Sequence, residues 1–339
     1  MNKARNLHLL LLGLLLSLVS AIVSAQTTTV IKFSLVAESD TPKAKAALRF
    51  KELVEHASQR RMRVDVYPNN LLYKESDELE ALQLGAIQML APTLSRLSQF
   101  GLQDFEVFDL PFLFKDRVMV SRVTEGAIGK ALLKKVETKG MVGLAYWDNG
   151  FKVMTGNRPL QMPRDFAGMK MRIFPSRVLD KQMDALGAMP QIIDAKQINL
   201  AMKAKLIDGS EGIPLSIYTR KLDEVQTNLT VSNHGYMGSA VVVNKKFWES
   251  LPSTSRTIIE RALREATTYG NDLAEQANAE ALETLKKQNN LRFHTLSEKE
   301  ERAWREALQP VRTDLENRIG KAIVSAVVTE ANRVRPVAP

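Results

Sequence analysis

The chain has 339 residues, 45% of them hydrophobic, a formal net charge of +9 and no cysteine. Without cysteine there is neither a disulfide nor a thiolate metal site, so burial must hold the fold, and this length allows two lobes with an adequate apolar core. The positive balance is no nucleic-acid footprint, because no basic block is interleaved with aromatic residues.

Residues 1–25 join Lys3 and Arg5 to the apolar run Leu9 to Ile22 and the small-residue exit Val23-Ser24-Ala25, the pattern of a secretory signal peptide cleaved near Ala25. The mature protein is then expected in a periplasm. It would start at Gln26 and carry +7 over 314 residues, since the leader removes two positive charges and no negative ones.

Ile31, Phe33 and Leu35 alternate with Lys32 and Ser34 as a first strand; after the loop Ala37 to Thr41 and Pro42, the residues Ala47, Phe50, Val54 and Ala57 predict a helix. Met62, Val64 and Val66 predict a second strand, ended by Pro68-Asn69-Asn70. Ser76-Asp77-Glu78 then caps a helix through Leu79, Leu82 and Ala86, and Ile87 to Ala91 leads into Pro92-Thr93-Leu94-Ser95. This β-α-β-α-β order predicts an open α/β sheet, whose ligands sit at the carboxyl ends of strands. Thr93 and Ser95 fall at such an end, and Ser39 in the loop after the first strand joins them as a candidate ligand contact.

The aromatic stretch Phe105 to Phe114 predicts packing between elements, with solvated or capping roles for Asp104, Glu106 and Asp109. A strand from Val142 to Trp147 leads through Asp148-Asn149-Gly150-Phe151-Lys152 into a second lobe. There Met171 and Ile173 face one side of a strand and Arg172 the other, Ser176 reads as an N-cap, and Val178, Leu179, Gln182, Met183 and Leu186 mark a helix ending at Gly187. An arginine at a strand end can grip a planar anion with two parallel charge-assisted hydrogen bonds, or it can serve an internal salt bridge.

The run Ala240 to Asn244 returns the chain to the first lobe, so that two crossings form a hinge. From Ser253 a long helix runs towards Lys287, able to brace both lobes, with Gly270 a weak point. Phe293 to Leu296 predicts a strand, Ser297 with Glu300 a capping box, and helical periodicity continues to about Ala331. The expected division is residues 26–149 and 238–277 for lobe I, residues 150–237 for lobe II, and residues 278–339 for the rest of lobe II and the C-terminal helices.

Signatures of catalysis are missing: there is no G-x-S-x-G elbow, phosphate loop, H-E-x-x-H or G-x-G-x-x-G, and beyond the leader His56, His234 and His294 lack ligand spacing. No catalytic residue and no metal site is assigned.

Several stretches, in order, carry a resemblance: Thr41-Pro42-Lys43, Glu80 to Gly85, Phe105 to Phe114, Trp147 to Phe151, Gly168 to Ile173, Ala185 to Ala188, Ile207-Asp208-Gly209, Glu224-Val225-Gln226, His234-Gly235-Tyr236 and Val243 to Trp248. Together they resemble the periplasmic solute-binding subunits of tripartite ATP-independent (TRAP) transporters, of the C4-dicarboxylate-binding DctP type. The resemblance implies a two-lobed α/β periplasmic-binding-protein fold with open sheets, hinge crossings and a long bridging helix. It also implies a monomer, without cofactor or catalysis, that captures a small-molecule carboxylate and delivers it to the small and large membrane permease subunits of a TRAP transporter. A binding protein presenting its ligand to a membrane sensor is the alternative. By the same resemblance Arg172 pairs with the ligand carboxylate and Lys152 supplies a second cation, with Phe174, Asn149 and Gly212 completing the candidate site. Three positions depart from the family pattern: Ala195 and Asn199 stand where aromatics are common, and Gly212 where an asparagine is. Lys205 likewise replaces a glycine before the Asp208-Gly209 turn. The departures at Ala195, Asn199 and Gly212 predict weak binding of succinate, malate and fumarate and better binding of a bulkier carboxylate.

Overall fold

The computed structural model describes residues 28–333; the expected leader and its cleavage site lie outside the described residues. Four strands, β1 (Thr29–Ser34), β2 (Met62–Tyr67), β3 (Met89–Leu90) and β4 (Met141–Phe151), build the first sheet. A second is built by β5 (Val153–Gly156), β6 (Lys170–Ile173), β7 (Met189–Ile192), β8 (Gly209–Gly212) and β9 (Asn228–Val231). Strand β10 (Tyr236–Asn244) then returns to the first sheet, and β11 (Arg292–Thr295) closes an edge of the second. The strand orders are β2-β1-β3-β10-β4 and β11-β9-β5-β8-β6-β7. The open α/β sheet expected from the alternation is observed, and a second open sheet stands beside it, as the resemblance implied.

The alternating apolar residues explain the first sheet. β1 runs parallel to both β2 and β3, and Ile31, Phe33 and Ser34 are all fully buried, as in a strand covered on both faces. Only Lys152 separates β4 from β5, so the chain changes sheets there over a single residue, and it changes back over residues 232–235.

Local signals set the helices. Thr41 caps the helix Pro42–Ala57 by accepting from the Ala44 amide, Ser176 caps Arg177–Ala185, and Ser297 and Glu300 form the capping box expected of them. The helix begun at Glu78 stops at Leu84, short of Ala86, because Gly85 takes a left-handed conformation and terminates it.

The long helix spans Ser253–Gln288. Ile259, Ala262, Leu263 and Ala266 pack with Phe33 and Trp147 of the first sheet and with Phe50 of the helix Pro42–Ala57, while Leu285 packs with Val153 and Leu229 of the second, so one rod braces both. Gly270 is no weak point in it. A Cβ there would lie 2.5 Å from the Cβ of Ala46, so the missing side chain is what lets the helix lie against Pro42–Ala57. Glu106 and Asp109 are buried rather than solvated: Arg318 pairs with Glu106, and the hydroxyls of Ser95 (2.9 Å) and Ser176 (2.7 Å) donate to Asp109. Lys205 does occupy the left-handed region, at φ +57°.

Candidate functional site

The segments that follow β1, β2, β3, β6, β7 and β8, together with the end of β4, Met237 of β10 and Ala274 of the long helix, surround a cleft of about 160 Å³ between the two sheets. Most of these are carboxyl ends of strands, where an open α/β sheet offers free backbone groups and helix starts to a ligand.

The first-sheet wall is organised by Lys43. Its Nζ donates to the Ser239 hydroxyl (2.6 Å) and the Ala91 carbonyl (3.2 Å), and the Ser239 hydroxyl in turn donates to Oδ1 of Asn149 (3.2 Å). With Oδ1 occupied, the Nδ2 donor of Asn149 has no partner among the described residues, and Asn149 lines the cleft beside Thr93. Burial lowers the Lys43 ammonium to about 8, against the pull of Glu78 and Glu75. Burial likewise pushes the Glu78 carboxyl up to about 8, with Glu75 adding to the rise and Lys43 opposing it. Asp148 also lines the cleft; it accepts from the Tyr236 hydroxyl (2.5 Å) and pairs with Arg117 (3.4 Å).

Two guanidinium groups stand on the second-sheet side: Arg220 lines the cleft, and Arg172 does not line it itself but packs on Phe174, which does. Arg172, 3% exposed at the end of β6, stacks on the Phe174 ring with its Cζ 4.2 Å from the centroid, and its Nε donates to the Ile193 carbonyl (3.0 Å). Among the described residues its two terminal nitrogens make no hydrogen bond. Burial lowers its pKa to about 10, so it stays cationic at neutral pH, helped by Glu211. Phe174 lines the cleft directly, as does Arg220, whose pKa burial also lowers.

Below this wall lies a buried network. Lys152 Nζ pairs with Glu211 (3.2 Å), His234 Nε2 lies 3.4 Å from the same carboxylate, and His234 Nδ1 is 2.7 Å from the Ser232 hydroxyl. Burial alone would raise the Glu211 carboxyl, but Lys152 and His234 outweigh it and hold it down at about 2. Desolvation keeps His234 below its ordinary value, so the ring is neutral at pH 7, donating from Nε2 to Glu211 and accepting at Nδ1.

Of the candidate residues, Thr93, Asn149 and Phe174 line the cleft. Ser95 and Lys152 line a small adjoining cavity of about 10 Å³ with Asp109, and Phe174 forms part of both walls. Ser39 is exposed, whereas its neighbours Glu38 and Thr41 face the cleft. Gly212 sits in β8 opposite Val153, where an added Cβ would meet Ile217 at 3.4 Å. Asn199 serves the backbone instead: its Nδ2 donates to the carbonyls of Arg220 (3.1 Å) and Lys221 (3.0 Å), fixing the turn that carries Arg220. Ala195 does line the cleft. Sequence reasoning missed Lys43 and Arg220. Lys43 stood in view, two residues after an N-cap threonine where the helix dipole disfavours a cation, and that misplacement was the available signal.

The family model for bacterial extracellular solute-binding protein, family 7 (DctP), matches residues 33–318. The chain belongs to that family. Among family 7 relatives, the C4-dicarboxylate-binding periplasmic protein DctP of Rhodobacter capsulatus is 49% identical over 312 residues, which cover 92% of this chain and 94% of the relative. A TRAP periplasmic solute-binding protein from Shewanella oneidensis, solved with bound succinate, superposes with a TM-score of 0.86 at 38% identity, covering 90% of this chain and 99% of the other. Another, from Pseudomonas aeruginosa with bound L-malate, gives 0.81 at 37% identity, covering 84% and 99%. The two-lobed architecture of family 7 is thus the architecture of this chain, and the family is one of solute-binding proteins.

Proposed function

We propose that this protein captures a four-carbon dicarboxylate in the periplasm and hands it to the membrane subunits of a TRAP transporter. The observation that carries the reading is the Arg172 guanidinium, buried beside the cleft, stacked on Phe174, with both terminal nitrogens unpartnered among the described residues. A desolvated fork of that kind is stabilised by a carboxylate presenting two oxygens. Lys152, already neutralised by Glu211, assists by its position and not as a free cation. The relatives named above for C4-dicarboxylates, and those solved with succinate and L-malate, support the same ligand class. Of the three positions expected to favour a bulkier acid, only Ala195 faces the cleft, which leaves the four-carbon diacid the first candidate.

In this reading the two sheets are the cores of two lobes that close on the ligand, and residues 1–25 direct export. Calorimetric titration of the protein beginning at Gln26 with succinate, L-malate and fumarate, beside larger hydroxy and cyclic acids, is the test. Micromolar or tighter binding of at least one four-carbon diacid is expected. Binding only of larger acids would overturn the ligand class.

A further inference from the structure

We propose that Lys43 receives the second carboxylate of the ligand, so that the cleft takes dicarboxylates and rejects monocarboxylates of equal length. The inference rests on the dicarboxylate reading above and adds to it the residue that counts the ligand's charges.

Lys43 is a cation without a matching anion. Lys152 is buried with Glu211 at 3.2 Å, whereas Lys43, half-buried in the cleft wall, has no carboxylate within ion-pair distance among the described residues. Its two hydrogen bonds go to neutral oxygens, Ala91 O and Ser239 Oγ, and use two of the three protons of an ammonium. It also sits in the first turn of the helix Pro42–Ala57, where the free amides repel a positive charge. A charge drawn out of water and left uncompensated is costly, and an incoming anion relieves that cost.

The site around it is assembled. Ser239 ties Lys43 to Asn149 and thereby leaves the Nδ2 donor of Asn149 free on the same wall of the cleft. Glu78, also on this wall, is held largely protonated at neutral pH by its burial, so it does not repel a carboxylate arriving at Lys43. Glu75 lines the cleft as well and exerts a favourable field on the Lys43 ammonium without pairing with it, while Glu38, also in the lining, acts on Arg220.

The two cationic poles come from different sheets. Lys43 and Asn149 belong to segments of the first, and Arg172 and Arg220 to segments of the second. A ligand with an anion at each end satisfies both poles and ties the sheets together. One with a single carboxylate leaves one pole dry and unmatched, and sites built around a polar partner reject analogues lacking it far more strongly than sites missing a methylene.

The test compares succinate with monomethyl succinate, which keeps the four-carbon chain and removes one charge. Calorimetry is run on the wild type, Lys43→Met and Lys43→Gln, with folding checked by thermal unfolding. The wild type is expected to prefer succinate at least about 100-fold. Each Lys43 variant should weaken succinate about ten- to a hundredfold, leave monomethyl succinate nearly unchanged, and so collapse the ratio. Folded variants that bind succinate like the wild type, or lose both ligands in equal proportion, would overturn the inference while the dicarboxylate reading stands. A wild type that binds both ligands within threefold of each other overturns it without any variant. A wild type that binds no four-carbon diacid overturns both.

Discussion

The Nδ2 of Asn278, on the long helix, donates to the main-chain carbonyl of Asn149 (2.7 Å) where β4 is about to leave the first sheet. The same side chain accepts from the Leu215 amide through Oδ1 (3.2 Å), and Leu215 lies in the short helix Pro214–Thr219 that follows β8 of the second sheet. One amide therefore ties the crossing strand, the long helix and the second sheet together. Gly150 makes the approach possible, since it takes φ +132° and a Cβ there would lie 2.6 Å from the Asn278 Nδ2.

Gly150→Ala should destabilise the protein by about 1–3 kcal/mol, because it combines a sparsely allowed backbone conformation with a steric clash. Urea unfolding read by circular dichroism gives the number. Asn278→Ala should cost a comparable amount, about 1 kcal/mol for each of the bonds to Asn149 and Leu215, and should also relieve part of the Gly150→Ala penalty in the double variant. Strict additivity of the two would show that the contact is not what constrains Gly150.

Arg172→Lys keeps the charge but loses the fork, the stack on Phe174 and the Nε bond to Ile193. A loss of about 1.5–3 kcal/mol of binding free energy, or roughly ten- to a hundredfold in affinity, is expected in calorimetry. Native affinity in a folded Arg172→Lys protein would exclude the guanidinium from ligand contact.

The Glu211 carboxyl is lowered from 4.5 to about 2 in the folded protein. A depressed carboxylate pKa means that this stabilisation is fully present above the unfolded value and is lost as pH falls from about 4.5 through about 2. Glu211→Gln removes the anion between Lys152 and His234 and leaves a buried ammonium, which should cost about 3–5 kcal/mol at pH 7. Unfolding measured between pH 7 and pH 3 should therefore show a smaller gap between variant and wild type at the acid end. A gap that stays constant with pH would contradict the assignment.

Gly270→Ala weighs two effects of opposite sign. Alanine improves helix propensity by about 1 kcal/mol, while overpacking a tight contact costs typically about 1–3 kcal/mol. Because the Cβ would sit 2.5 Å from that of Ala46, between two helices already pinned to the first sheet, the steric term should win. A lower midpoint of thermal unfolding is expected, and a raised one would mean that the two helices separate at little cost.

The alternation of strands and helices, the caps at Ser176 and Ser297, and the packing role of the aromatic stretch Phe105 to Phe114 were legible in the sequence. Each depends on residues within about four positions of one another, and periodicity or a single side-chain bond records such relations directly. What a polar residue meets across the fold leaves no such record. Lys152 and Glu211 stand 59 positions apart, and Lys43 meets Ser239 across 196; only the antiparallel pairings of β5 with β8 and of β10 with β3 bring these partners into reach. The sequence by itself determined that an arginine would stand at the end of β6. The order of strands in the two sheets decided that this arginine would go without a carboxylate partner among the described residues, that Lys152 would not, and that Lys43 would line the cleft from the first-sheet side, because a cation's pairing is set by whichever strand arrives beside it and not by its neighbours along the chain.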